Sequence, residues 1–171
     1  GIALPAVAEA LAHPQQLGHR STLRAIGPWQ LLDDCYNASP WAMRAALDTL
    51  FELAGGGPAA AIVGEMLELG EQHAHYHRDL GRYAATLPLA LLVTVGEAGD
   101  LIADGARQSG LPASRLAAVS DAREAAAAVF HHFPRGWLLV KASRGARLER
   151  VFAALQEHTS GTVEPEGTRE P

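Results

Sequence analysis

Asp33 and Asp34 close the apolar run "PWQLLDD", and Cys35, Tyr36 and Asn37 follow before Ser39-Pro40. A carboxylate just past a strand can accept two hydrogen bonds from a sugar diol; the same pair could coordinate a metal or cap loop amides. Tyr36 offers a ring to stack on a base, and Asn37 a carboxamide to read its edge. Cys35 has no identifiable histidine partner and reads as a small semi-buried side chain rather than a nucleophile. In "HAHYH", His73 and His77 share one helix face, but Ala74, His75 and Tyr76 stand where metal sites of that type carry a glutamate. That segment reads as a solvated helix face, and no metal ligand is assigned. Lys141, the only lysine among 14 Lys+Arg, must carry any lysine-dependent chemistry the chain performs.

These residues need a frame. Nearly continuous apolar runs at 28–34, 59–64, 89–96, 116–120 and 136–143 predict strands buried on both faces. Helical stretches at 40–53, 72–85, 97–108, 121–131 and 146–157 alternate with them. Ser39 before Pro40 is a start signal, "GGG" at 55–57 a stop, and "SDARE" a capping box with Ser120 or Asp121 as N-cap. The alternation predicts an α/β, doubly wound, mainly parallel sheet, with Asp33, Asp34, Gly64, Glu65, Gly96, Ser120, Lys141 and Ser143 along its carboxyl edge. "GEAG" after the third of these strands could present amides to a phosphate. Neither G-x-x-x-x-G-K-[ST] nor G-x-G-x-x-G occurs.

A chain of 171 residues, 48% hydrophobic, can bury one ordinary core. Net charge −5 with no basic block gives no nucleic-acid or membrane-surface footprint. No apolar run reaches spanning length, no signal-peptide pattern opens the chain, and the single cysteine fits a reducing compartment, so the expected location is the cytoplasm. Residues 1–26 read as one short helix (4–11) and a linker, and 158–171, rich in Pro, Gly and Glu, as a disordered tail.

Phosphoacceptor receiver domains share part of this layout: an acidic pair, a hydroxyl residue such as Ser120 and a lysine such as Lys141. They also need an aspartate after the third strand, where "LLVTVGEAG" offers only Glu97. A non-catalytic receiver-like or nucleotide-binding docking module is therefore the alternative reading.

Three segments in register resemble the C-terminal domain of the Mur ligases, the ATP-dependent enzymes that build the peptidoglycan stem peptide. "DDCYNASPWAMRAAL" is similar to the family's D-D-x-Y-N-A-N-P-x-S-M-x-A-A-L, "VGEMLELGEQHAHYHRDLG" to its G-[DE]-M-x-E-L-G-E with a later H-x-x-x-G, and "LLVKASRG" to its K-G-S-R. The resemblance covers about residues 18–155, and its Y-N-A-[NS]-P core favours the branch that adds D-alanyl-D-alanine to a UDP-N-acetylmuramoyl-tripeptide. Ser39, Trp41-Ala42 and Ala142 depart from the pattern; the last adds a methyl where the backbone approaches substrate.

The resemblance implies that Asp34, with Asp33 as its alternate, holds the ATP ribose, while Tyr36 and Asn37 line the nucleotide. Arg20 in the linker reaches phosphate, and Lys141, Ser143 and Arg144 contact the dipeptide. Glu65, Glu68 and His77 match motif positions without an assigned chemistry. The implied reaction phosphorylates a peptide carboxylate with ATP and Mg²⁺; the D-Ala-D-Ala amine then attacks, releasing ADP and phosphate. The implied organisation is a monomeric ligase in which residues 1–26 end a central ATPase domain and 27–157 form the Rossmann-like C-terminal domain. Its partners are the central and N-terminal domains, UDP-muramoyl-tripeptide and D-Ala-D-Ala, with neither nucleic acid nor membrane. With no phosphate cradle in the chain, it is expected to fold alone but not to catalyse alone.

Overall fold

A computed structural model describes Ala3 and residues 18–160, so the expected helix at 4–11 and the tail from 161 onward lie outside the described residues. "AAAIV" and "LLVTV" contain no exposed residue, which only the interior of a two-sided α/β sandwich satisfies. Among the described residues the strands are β1 (Thr22–Ile26), β2 (Trp29–Asp34), β3 (Ala59–Val63), β4 (Leu91–Val95), β5 (Leu116–Val119) and β6 (Gly136–Lys141). They form one sheet in the order β1-β2-β6-β3-β4-β5, parallel throughout except for β1. The helices are α1 (Pro40–Ala54), α2 (His73–Ala85), α3 (Gly96–Gln108), α4 (Ala122–His132) and α5 (Arg150–Ser160).

The chain steps outward from β2 through β3 and β4 to β5, then returns to insert β6 between β2 and β3. Right-handed crossovers put the outbound and returning helices on opposite faces. One face buries Leu32, Ile102, Leu47, Leu50 and Leu80 beneath α1, α2 and α3. The other buries Trp29, Leu31, Val129, Val151 and Phe152 beneath α4 and α5. Each such side chain contributes about 1.5–3 kcal/mol on burial. This strand order also removes the receiver reading. A receiver sheet runs 2-1-3-4-5, whereas the last strand here lies beside the first parallel one.

Three boundaries differ from the sequence expectation, the first being that residues 158–160, read as the start of a disordered tail, end the last helix at Ser160. Residues 22–26, read as linker, are an edge strand that pairs antiparallel with β2 from Thr22↔Asp33 to Ile26↔Trp29. Its exposed Leu23 and Arg24 hide the pattern, because an edge strand needs no continuous apolar run. The last helix starts at Arg150 rather than 146, after a 3₁₀ turn and a left-handed Arg147 (φ 50°). Elsewhere the punctuation holds. Ser39 accepts the Ala42 N–H, Gly55 is left-handed at φ 54°, and Asp121 accepts the Arg123 and Glu124 N–H groups.

The matched His77 and Gly81 are architectural. A Cβ at Gly81 would meet the Ile102 carbonyl oxygen at 1.9 Å, and one at Gly105 the Arg78 carbonyl oxygen at 2.1 Å. α2 and α3 therefore cross with their backbones in contact. Buried His77 accepts the Met66 N–H at Nε2 (2.9 Å), so its Nδ1–H donates to the His73 carbonyl (2.7 Å). Burial, ahead of any charged neighbour, pushes its pKa down and keeps it neutral. The expectation of a wholly solvated "HAHYH" face fails at His77, which pins the loop after β3 to α2.

Candidate functional site

Pairing of β2 with β6 sets Asp34 opposite Lys141 at the carboxyl edge of the sheet. Lys141 Nζ donates to Asp34 Oδ2 and, at 2.9 Å, to the Asn37 carbonyl. The Ser21 N–H donates to Asp34 Oδ1 at 3.0 Å. The lysine side chain is only 3% exposed and the aspartate 16%, so the pair is a buried cation beneath a carboxylate that still reaches solvent. A buried ammonium is tolerated only when paired and hydrogen-bonded. Asp34 has about four lone-pair positions. Lys141 and Ser21 take one each, which leaves room for two hydroxyl donors.

Asp33, one residue earlier, points to the opposite face and is fully buried. His19 Nδ1–H donates to its Oδ2 at 2.8 Å, Arg24 Nε forms an ion pair with the same oxygen at 2.9 Å, and the Cys35 N–H approaches Oδ1 at 3.4 Å. His19 stacks on Phe152 of α5, and the Arg24 guanidinium lies over the same ring. Asp33 is thus enclosed and does not serve as an alternate ribose carboxylate. Cys35 is buried and its thiol is pushed far above the usual range, first by burial and then by Asp33, so it is no nucleophile.

Arg20 enters between two left-handed residues, His19 (φ 63°) and Ser21 (φ 44°). The His19 carbonyl accepts the Tyr36 N–H at 2.9 Å, and Arg20 lies over the Tyr36 ring, 3.8 Å from its centroid. Arg144 approaches the same ring at 5.4 Å. The hydrogen bond from Arg20, then the charges of Arg20 and Arg144, pull the Tyr36 pKa down. Two cations therefore occupy the ring that sequence reasoning assigned to a base. The Asn37 side-chain oxygen accepts the Ala38 N–H at 2.9 Å, which holds the turn.

Of the residues assigned to the dipeptide, only Arg144 is exposed. Lys141 is buried against Asp34. Ser143 is buried too; its N–H donates to the Glu65 carbonyl (2.8 Å) and its Oγ accepts the Leu67 N–H (3.0 Å). Ala142 turns its methyl into the core, where a Cβ at Gly64 would lie 3.1 Å from it. That methyl does not face a substrate, contrary to the sequence expectation.

The same edge carries a larger hollow of about 640 Å³ between the ends of β4 and β5 and the start of α5. Its charged lining is Glu65, Glu97, Asp121, Arg123, Arg147, Arg150 and Glu157. Glu65, Gly96 and Ser120 were expected on this edge. Arg147 and Arg150 were missed, because scattered arginines in an arginine-rich chain form no motif. Among the described residues no group of three or more His, Cys, Asp or Glu stands together to hold a metal. No helix of the described residues is long and apolar enough to cross a membrane.

The sequence pattern of the Mur ligase glutamate ligase domain matches residues 19–144. The chain belongs to the Mur ligase family. Relatives of this Mur ligase domain include the UDP-N-acetylmuramoyl-tripeptide–D-alanyl-D-alanine ligase of Bacillus subtilis, 31% identical over 92% of this chain and 35% of that protein. The ligase of the same name from Mycobacterium tuberculosis is 36% identical over 96% of this chain and 36% of its own length. A MurF crystal structure from Acinetobacter baumannii superposes with TM-score 0.77 at 32% identity, covering 92% of this chain and 34% of the other. MurF of Thermotoga maritima in complex with ADP shares the fold, with TM-score 0.72 at 24% identity over 92% of this chain and 37% of its own. The chain thus spans about a third of the length of the relatives it matches.

Proposed function

We propose that this Mur ligase domain works within an ATP-dependent ligase that adds D-alanyl-D-alanine to UDP-N-acetylmuramoyl-tripeptide during peptidoglycan synthesis. In this reading it is the C-terminal domain of a monomeric cytoplasmic enzyme, and its partners are the enzyme's central and N-terminal domains. The observation that carries the reading is Asp34: a carboxylate at the strand edge, oriented from below by Lys141 and from the side by Ser21. Its remaining lone pairs suit the ribose diol of ATP. Arg20, held over Tyr36 beside it, supplies a planar guanidinium for phosphate oxygens. ATP, once bound, supplies the phosphoryl group that activates the tripeptide carboxylate.

The incoming dipeptide is a zwitterion, and the 640 Å³ hollow offers both signs of charge. Arg147 and Arg150 suit its carboxylate, and Glu97 with Glu65 suit its amine. Lys141 and Ser143 act in this reading through what they hold: Lys141 positions Asp34, and Ser143 fixes the loop that carries Glu65. The test is amide NMR of the chain titrated separately with ADP and with D-Ala-D-Ala. ADP is expected to shift Ser21, Asp34 and Tyr36, and the dipeptide Glu97, Arg147 and Arg150. If neither ligand moves its group at millimolar concentration, the proposal is wrong.

A further inference from the structure

Trp41 is out of place physically. Its side chain is 79% exposed, the most exposed large apolar group among the described residues. An exposed indole forgoes about 1.5–3 kcal/mol of burial free energy, so its position calls for a partner. It stands in the first turn of α1, at the rim of a hollow of about 200 Å³ that also contains Asp34 and Ser21. Leu32, Ala42, Ala45 and Ala46 give that hollow apolar lining. At that size it suits one ring system, since pockets that enclose a whole drug-sized ligand measure roughly 300–1,000 Å³.

We propose that Trp41 is the stacking platform for the purine base of the nucleotide, an inference that rests on the assignment of Asp34 to the ribose. A base hangs from its ribose by one glycosidic bond, so the diol acceptor and the base platform must share a single hollow. Asp34 and Trp41 do share one. Tyr36 does not compete for this role, because Arg20 lies over its ring at 3.8 Å. The indole is the larger ring, and it is presented to solvent beside that apolar lining.

The experiment uses the full 171-residue chain. ADP is titrated while the Ser21 and Asp34 amides are followed by NMR and tryptophan emission by fluorescence. Trp29 is buried and Trp137 half-buried, so quenching should come from Trp41 and vanish in Trp41→Phe. Trp41→Phe keeps a ring and is expected to bind ADP nearly as well, whereas Trp41→Ala should bind roughly fivefold to a hundredfold more weakly. The exposure of the side chain leaves folding unaffected, which the melting temperature checks. If Trp41→Ala binds ADP within about twofold of the unmodified chain while Asp34→Asn loses binding, the platform is refuted and the nucleotide reading stands. If ADP moves neither Ser21 nor Asp34 in the unmodified chain, both fall together.

Discussion

On the α5 side of β2, Asp33 gathers His19, Arg24 and the Phe152 ring into a closed cluster. On the α1 side, one residue further, Asp34 sits over a buried lysine and keeps one edge toward solvent. The two regions use the same carboxylate chemistry with the exposures inverted. In the first the anion is buried and its partners His19 and Arg24 are about 40% exposed; in the second the cation is buried and the anion is accessible. A strand alternates its faces residue by residue, so adjacent identical side chains enter different environments. The buried partner is the one whose charge must be answered. The accessible partner is the one left for a ligand.

The largest test of this contrast is stability. Asp34→Ala strands the Lys141 ammonium in the interior and is expected to cost about 3–5 kcal/mol in denaturant unfolding. Asp33→Ala leaves His19 and Arg24, which water can reach, and should cost less, about 1–3 kcal/mol. A larger loss for Asp33→Ala would break the comparison. The next effect is chemical. The Cys35 thiol should resist a thiol reagent at mildly alkaline pH in the folded chain and react freely in urea. Since Asp33 raises its pKa more than Asp34 does, Asp33→Asn should speed modification more than Asp34→Asn. The smallest effect concerns Tyr36, whose absorbance titration should begin below the usual tyrosine range. Arg20→Met should move it back up further than Arg144→Met does, following the order of their contributions.

Much of this architecture was legible in the chain because parallel strands buried on both faces leave near-continuous apolar runs. "AAAIV" and "LLVTV" are such runs, and Ser39, Gly55 and Asp121 mark helix ends with local chemistry that needs no tertiary knowledge. β1 escaped because an edge strand can carry Arg24 and an exposed Leu23. The placement of Asp34 was also readable. The burial of Lys141 was not: a lone lysine at a strand end reads as a surface cation until its register opposite Asp34, 107 residues away, is known. The separation of Asp33 from Asp34 follows from strand alternation, but which face is closed depends on Phe152 and on His19 and Arg24 reaching back to β2. The 640 Å³ hollow depends on the left-handed Arg147, a conformation that nothing in "SRGAR" announces.

The crossing of α2 and α3 at Gly81 and Gly105 leaves no layer of rotatable side chains at its centre. Two helices in that relation cannot slide by exchanging rotamers, so they answer a push as one stiff plate. His77 rivets the Met66 backbone to that plate, and Ser143 ties the neighbouring Leu67 to the end of β6. A force applied to the outer helices therefore reaches Glu65, in the wall of the large hollow, as through a lever clamped at both ends.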